Sequence, residues 1–336
     1  VCSNFLPPVD VAEPPRMPAI RFGVVAWAPP GSTVVVVGNH PQLGSWSPEK
    51  GVKMACSLGD TRFESEPDYF WAQVEVPPSE LQSLEFKFVF RSTGSSAWTW
   101  DDGDNRKVPV NGDAESSMLV LPVEKFREGS SAEHDHTGRF FTMVNERKEI
   151  SVRPVCKQIV LGSCPRRKEH IDKLKGLGIT VVMNFQAEED CYRKCIEGIG
   201  MEEDALAIKP LYDKAGIEYV WMPTKDMDTA ARAAMLPHAS YVLEGLVARG
   251  HVVYVHCNAG VGRSVAAVCG YLRYCVGLSI AQLQHVVARA RTVAYFDVKA
   301  LESARPHFEA MFGPPRKELE EQKQQLLEEA GLLAKS

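Results

Sequence analysis

Nine consecutive residues, His256-Cys257-Asn258-Ala259-Gly260-Val261-Gly262-Arg263-Ser264, hold most of the chemistry this sequence offers. They lie between an apolar run ending at Val255 and a helix-like stretch that starts near Arg263. Gly260 and Gly262 let the backbone curl, so that N–H groups along Asn258, Ala259, Gly260, Val261 and Gly262 can point inward. The helix that follows presents its N-terminus, which carries partial positive charge and free donors. An oxyanion such as phosphate suits that cradle. Cys257 at its mouth sits in the same field, which lowers the thiol pKa and gives a thiolate nucleophile near neutral pH. Arg263, six positions on, can grip two phosphate oxygens with its planar fork and follow their charge into the transition state. Ser264 can hydrogen-bond the sulfur and help it leave in a second step. A buried cysteine in a glycine-rich turn is the plain structural alternative. Residue types, spacing and strand–loop–helix context together favour the chemical reading.

The Cys-x5-Arg spacing, with its preceding His and following Ser, resembles the cysteine-dependent phosphatase superfamily and, within it, the dual-specificity branch. That resemblance implies a metal-free, cofactor-free hydrolysis of phosphate monoesters through a cysteinyl-phosphate intermediate. It also implies an aspartate about thirty residues ahead of the cysteine. Asp226, in Met222-Pro223-Thr224-Lys225-Asp226-Met227, stands 31 residues before Cys257. It is assigned as the acid that protonates the leaving oxygen and then as the base that activates water. Asp228 is its rival and suits a helix N-cap better. No metal is required, because Arg263, the amides and the helix end supply positive charge. The Walker pattern is absent, so nucleotide hydrolysis has no support. Cys191 and Cys195 lack a second ligand pair for zinc, and His134-Asp135-His136 reads as a solvated loop. Asp101-Asp102-Gly103-Asp104 lacks the alternating spacing and the terminal Glu of a calcium loop.

A second set of residues suits a sugar. Flat indole rings pack on the C–H faces of glucose while nearby polar groups bond its hydroxyls. Trp46, after a turn, and Trp100 are the candidate platforms, with Lys87 and Asn105 as hydroxyl partners. Trp71, inside an alternating strand, reads as core, and Trp98 reads equally as core or platform. Gly38-x4-Leu43-Gly44-x-Trp46, then Phe86-Lys87-Phe88, Trp98-Thr99-Trp100 and Asn105-Arg106, resemble in that order the starch-binding carbohydrate modules of the twentieth family. Such a module joined to a dual-specificity phosphatase resembles the glycogen phosphatases. Shared stretches include Leu161-Gly162-Ser163-Cys164-Pro165-Arg166, Met183-Asn184-Phe185-Gln186 and Trp221-Met222-Pro223-Thr224. The resemblance implies removal of phosphate esters from glycogen-like glucan, with Met227 and Tyr295 lining the glucan path. Tyr295 reads equally well as core. The alternative is a protein dual-specificity phosphatase that uses the module only to reach glycogen. A scaffold that merely recruits partners would not need Cys257, Arg263 and Asp226 together. A homodimer stays open.

The elements that must position these residues divide the chain. With 336 residues, about two domains are expected, each able to bury a core. Lys and Arg number 38 against 43 Asp and Glu, a net charge of −5, which argues against a broad nucleic-acid-binding surface. Hydrophobic residues at 45% and charged residues at 24% rule out wholesale disorder. No apolar run approaches the ~18 residues that span a bilayer. No signal peptide is evident, and nine scattered cysteines do not suggest a secreted disulfide framework, so a cytoplasmic, glycogen-associated protein is expected. Residues 1–19, with five prolines, read as an irregular lead-in. Over 20–125, short strands such as Val34 to Val37, Trp71 to Val76, Phe86 to Phe90 and Ser117 to Pro122 predict an all-β sandwich or barrel that binds starch-like polymer. Residues 126–150 read as a linker or irregular docking segment. Over 151–313, strands at Ile159 to Gly162, Thr180 to Phe185, Tyr219 to Trp221 and Val252 to Val255 alternate with helices at Lys168 to Gly176, after Asp228, and at Ser264 to Val276. That alternation predicts an α/β phosphatase domain with a partly parallel sheet. Residues 314–336, rich in Glu, Gln, Lys and Leu, predict an exposed polar helical tail.

Overall fold

The computed structural model describes residues 19–57, 66–109, 118–127, 140, 144, 149–193 and 204–333; His134, Asp135, His136 and Cys195 lie outside them. Its N-terminal strands are β1 (Ala19–Ala26), β2 (Thr33–Gly38), β3 (Val52–Lys53), β4 (Ala55–Cys56) and β5 (Asp68–Glu75). They continue with β6 (Glu85–Arg91), β7 (Thr99–Trp100), β8 (Arg106–Lys107) and β9 (Met118–Lys125). Two sheets result, ordered β4-β5-β1-β9 and β3-β2-β6-β7, with β8 also paired to β6. Alternate residues of each strand point between the sheets. Ile20, Phe22 and Val24 meet Val34, Val36, Phe86, Phe88 and Phe90 in one core. This is the sandwich that the strand pattern predicts.

Strand β1 escapes the sequence reading for a physical reason. Its other face, Arg21, Gly23 and Val25, is covered as well, so polar alternation is lost. What covers it is the C-terminal half of the molecule. Val25 and Tyr69 pack with Ala288, and a Cβ on Gly23 would lie 2.6 Å from His285 Cε1. Trp71 belongs to this face too. It is half-buried against Arg21, whose guanidinium carbon lies 3.7 Å from the ring centroid, rather than inside the sandwich core. The ring is covered by Arg21 of the same module, in a cluster that also takes in Ala288 and Phe296 of the C-terminal half.

That half contains β10 (Val152–Cys156), β11 (Ile159–Gly162), α1 (Lys168–Gly176), β12 (Val181–Asn184) and α2 (Glu188–Arg193). Next come α3 (Lys209–Ala215), β13 (Glu218–Trp221), α4 (Thr229–Ala248) and β14 (Val253–His256). Helix α5 (Arg263–Gly270) runs on through a π-helical turn at Tyr271–Cys275, and α6 (Ile280–Ala290), α7 (Val298–Phe312) and α8 (Glu320–Glu329) complete the described chain. The sheet order is β10-β11-β14-β12-β13, and only β10 runs antiparallel to its neighbour. Helices cover both faces, so the central strand β14 is buried along its whole length.

One expectation from composition is corrected. The C-terminal segment is not a solvated tail: Leu326, Leu327, Ala330 and Leu332 are buried in the main α/β core. The sandwich itself caps the end of α8, with Arg21 Nη2 donating to the Ala330 carbonyl at 2.8 Å and Gln73 Nε2 to that of Gly331 at 2.7 Å. A cation on terminal carbonyls is where the helix dipole favours it. Within the segment read as a linker or docking segment, the described Phe140 and Val144 are buried against Ala259 and Val293.

Candidate active site

Four parallel strands end in one row. Gly162 pairs with His256, His256 with Asn184, and Asn184 with Trp221. Each strand hands over to a loop at the same carboxyl edge, the usual site of chemistry in an open α/β sheet. The loop after β14 carries Cys257, only 4% exposed, with Sγ 3.4 Å from Ser264 Oγ. Gly260 takes a φ of +71°, and a Cβ there would lie 2.2 Å from the Gly162 carbonyl oxygen. Only glycine fits. Asn258, Val261 and Gly262 are half-exposed along the loop, so the cradle opens to solvent at its rim.

The buried Arg291 sets the loop's direction. Its Nε donates to the Gly260 carbonyl at 2.8 Å and its Nη2 to the Ala259 carbonyl at 2.5 Å. With those carbonyls held outward, the amides of Gly260 and Ser264 reach the sulfur. Burial opposes a charged sulfur. The Arg263 guanidinium, the Ser264 hydroxyl and those amides outweigh it, and the Cys257 thiol is held below its ordinary range.

Arg263 is fully buried at the start of α5. Its Nη1 donates to Asp190 Oδ2 at 2.6 Å and to the Thr224 carbonyl at 2.9 Å. Nη2 lies 3.0 Å from Asp226 Oδ2 in an ion pair without hydrogen-bond alignment, and Nε and Nη2 make no hydrogen bond. Two adjacent donors of one fork therefore remain for an oxyanion. Burial works against the guanidinium charge, but Cys257, Asp190 and Asp226 sustain it, and its pKa lies above the ordinary value.

Asp226 stands at the mouth, its side chain 47% exposed, and Oδ1 accepts the Met227 N–H at 3.0 Å. Met227 has a φ of +54° and is 91% exposed beside it. Asp228 accepts the Ala231 N–H at 3.0 Å and caps α4, the role its position suggests. His256 Nδ1–H donates to the Cys257 carbonyl at 3.0 Å, and burial holds the ring down to about 4, so it is neutral near pH 7. Tyr295 is an exposed ring, not core. Its N–H donates to the Val261 carbonyl at 2.9 Å, which fixes it at the rim of the phosphate loop.

Three contributors escape the sequence reading. Asp190 fixes Arg263, Arg291 fixes the loop, and Gln186 Nε2 holds Asn258 Oδ1 at 2.8 Å. Of these, only Gln186 lies within a stretch the resemblance singles out. The other two sit tens of residues from their partners, on elements that no local spacing connects.

The sugar candidates gather on the outer face of the β3-β2-β6-β7 sheet. Trp46 and Trp98 pack over Val35, Val37 and Val89, and Trp100, 39% exposed, stands opposite Val89. Trp98, readable either way from sequence, is half-buried on this face, with Nε1 donating to Glu49 Oε1 at 2.8 Å. Ser45 and Trp46 both take left-handed backbone, φ +47° and +65°. Such strain outside glycine is characteristic of functional turns. Lys87 gives two of its donors to the carbonyls of Asp101 and Gly103, at 2.9 and 2.6 Å. Asn105 donates to Glu85 Oε2 at 3.0 Å. Asp101, in the sequence that superficially suggests calcium, is a buried hub for Arg106 and Arg127.

A thiolate loop at the carboxyl edge of a parallel sheet, behind a sandwich with an aromatic outer face, defines a cysteine-based phosphatase with a carbohydrate-binding module. Comparison with known proteins agrees: residues 18–119 match the starch binding domain family and residues 159–296 the dual specificity phosphatase catalytic domain. The chain is 35% identical over 319 residues to laforin of Mus musculus, an alignment covering 87% of this chain and 96% of that protein, and it belongs to the laforin family. It is also 29% identical over 177 residues to the chloroplastic phosphoglucan phosphatase LSF1 of Arabidopsis thaliana, covering 51% of this chain and 27% of that one. Against the amyloplastic phosphoglucan phosphatase DSP4 of Castanea sativa the identity is 26% over 180 residues, covering 53% and 46%.

Proposed function

We propose that the protein holds glycogen- or starch-like glucan on the outer face of its sandwich and hydrolyses phosphate monoesters on that polymer. The Cys257 thiolate attacks phosphorus while Asp226 gives its proton to the departing glucosyl oxygen, leaving a cysteinyl phosphate and a free glucan hydroxyl. Arg263 and the amides along Asn258 to Gly262 hold the phosphoryl oxygens through the transition state. Asp226, now a carboxylate, takes a proton from water as that water attacks phosphorus. Ser264 donates a hydrogen bond to the leaving sulfur, and inorganic phosphate departs. Trp46 and Trp100 carry the sugar rings, Lys87 and Asn105 bond their hydroxyls, and Met227 and Tyr295 guide the chain into the mouth. The seven described cysteines are all free, and action on glycogen in the cytoplasm is part of the same reading.

One observation carries it: the thiol beside an Arg263 whose Nε and Nη2 make no hydrogen bond occurs in the same molecule as three tryptophans on one open sheet face. Phosphorylated amylopectin is incubated with the protein, and released phosphate is measured beside a phosphopeptide panel. The glucan is expected to release phosphate faster than any peptide, and Cys257→Ser to release none while still sedimenting with glycogen. Faster turnover of phosphopeptides would move the assignment to a protein phosphatase carried to glycogen by its module.

A further inference from the structure

One buried carboxylate enters the catalytic half from the other module. Glu66, within the starch-binding match and just ahead of β5, is 1% exposed. Its Oε1 accepts the Ser151 hydroxyl at 3.0 Å, and its Oε2 accepts Arg153 Nε and Nη2 at 3.1 and 2.7 Å. The Ser151 oxygen in turn accepts Arg291 Nη1 at 2.6 Å, and Glu66 Oε1 lies 3.8 Å from that nitrogen. The other two nitrogens of Arg291, Nε and Nη2, donate to the carbonyls of Gly260 and Ala259.

We infer that Glu66 is a positioning residue of the phosphate loop, acting through Ser151 and Arg291, so that the starch-binding module completes the phosphatase site. The inference rests on the phosphatase reading and deepens it. A buried guanidinium is tolerable only when hydrogen-bonded and charge-compensated. Glu66 supplies compensation to Arg291, and Ser151 fixes the direction in which Arg291 points. A guanidinium is planar, so aiming Nη1 at Ser151 also aims Nε and Nη2 at the loop carbonyls. Those carbonyls decide whether the amides converge on the sulfur and on a bound oxyanion. Burial disfavours the charge of Arg291 and Glu66 sustains it, which keeps a cation close behind the thiolate. The module is thereby tied to chemistry on substrates that never touch a sugar platform.

The test uses the full chain with Glu66→Gln and Ser151→Ala, well below each variant's melting temperature. Four quantities are read: aryl phosphate kcat/KM, the pH dependence of Cys257 alkylation by iodoacetamide, inhibition by inorganic phosphate, and co-sedimentation with glycogen. Both variants are expected to lose about 10-fold in kcat/KM and to bind phosphate several-fold more weakly, the scale of a misaimed oxyanion loop. The alkylation midpoint is expected to move to higher pH, and glycogen binding to stay within twofold of wild type. If Glu66→Gln does not fold, Ser151→Ala decides, because it removes the hydroxyl between Glu66 and Arg291 and strands no charge. Variants that melt earlier but keep the wild-type alkylation profile and phosphate inhibition would reduce Glu66 to an interface strut. That failure leaves wild-type turnover untouched, whereas a wild-type protein inert on aryl phosphate would overturn the phosphatase reading itself.

Discussion

Arg263 divides its guanidinium between two tasks. One nitrogen is locked by Asp190 and the Thr224 carbonyl, and the edge that faces the mouth keeps its donors unbonded. A cation fixed in this way stabilises charge with little reorganisation at the moment of reaction. Asp226 touches the same edge from outside, with its side chain half-exposed at the mouth. Asp228, two residues on, is spent on α4, where the Ala231 N–H holds its carboxyl below the ordinary range with Lys225 adding to the effect. The two carboxylates separate kinetically. Asp226→Asn should lower kcat on phosphoglucan by roughly 10²- to 10⁴-fold, because the glucosyl alkoxide leaves poorly without a proton. The loss should be much smaller on an aryl phosphate whose phenol leaves unaided. Asp228→Ala should instead cost about 1 kcal/mol of stability through its cap and treat both substrates alike. Steady-state rates on the two substrates, with melting curves, check this; an equal loss for Asp226→Asn on both would remove it as the acid.

Elements, more than residues, carry the proposed sugar site. The strand β6 sends Phe86, Phe88 and Phe90 into the core, and thereby sends Lys87 and Val89 to the outer face where the tryptophans lie. Removing one ring from that face by Trp100→Ala or Trp46→Ala should weaken glycogen co-sedimentation about 5- to 150-fold, the equivalent of roughly 1–3 kcal/mol. Aryl phosphate turnover should stay at the wild-type rate. Unchanged binding by both variants would show that the sugar lies elsewhere. The same elements show what a sequence can disclose. Period-two alternation exposed β5 and β6, and the strand–loop–helix order exposed the phosphate loop, because in both cases the signal lies within ten residues. Strand β1 was silent because both of its faces are covered. The helix α8 looked solvated because its few apolar residues are outnumbered by Glu and Gln, yet Leu326 and Leu327 are buried. Asp190 and Arg291 were invisible because their partners are set by the sheet and helix packing and not by local spacing.

At the scale of the whole molecule, the sandwich and the α/β half share a polar interior at their contact. The Tyr69 hydroxyl meets His285 Nδ1, while His285 Nε2–H donates to the Leu121 carbonyl at 2.8 Å and Gln284 Oε1 accepts the Val123 N–H at 3.2 Å. The ring is therefore a neutral tautomer with both nitrogens used, and burial pushes its pKa down to about 3 from an ordinary 6.5. Unfolding returns the ring to water. Between pH 6.5 and 3 the unfolded chain then binds a proton that the folded chain refuses. Stability from this site is complete above pH 6.5 and is lost on acidification, by up to about 1.4 kcal/mol per pH unit. His256, held down to about 4 by burial, acts in the same direction but lies beneath the phosphate loop rather than at the contact. His285→Gln should therefore lower stability at pH 7, where a buried hydrogen bond is lost, and flatten the fall between pH 6 and 5 by close to that slope. Urea unfolding of wild type and variant across this range measures both. Because the histidine ties the modules together, acid should first loosen the contact that holds Arg21 on the end of α8, and amides near Ala330 should exchange earlier in the wild type at pH 5 than at pH 7 after correction for intrinsic rates. A wild-type slope identical to that of His285→Gln would mean that the ring takes up its proton without the two halves parting.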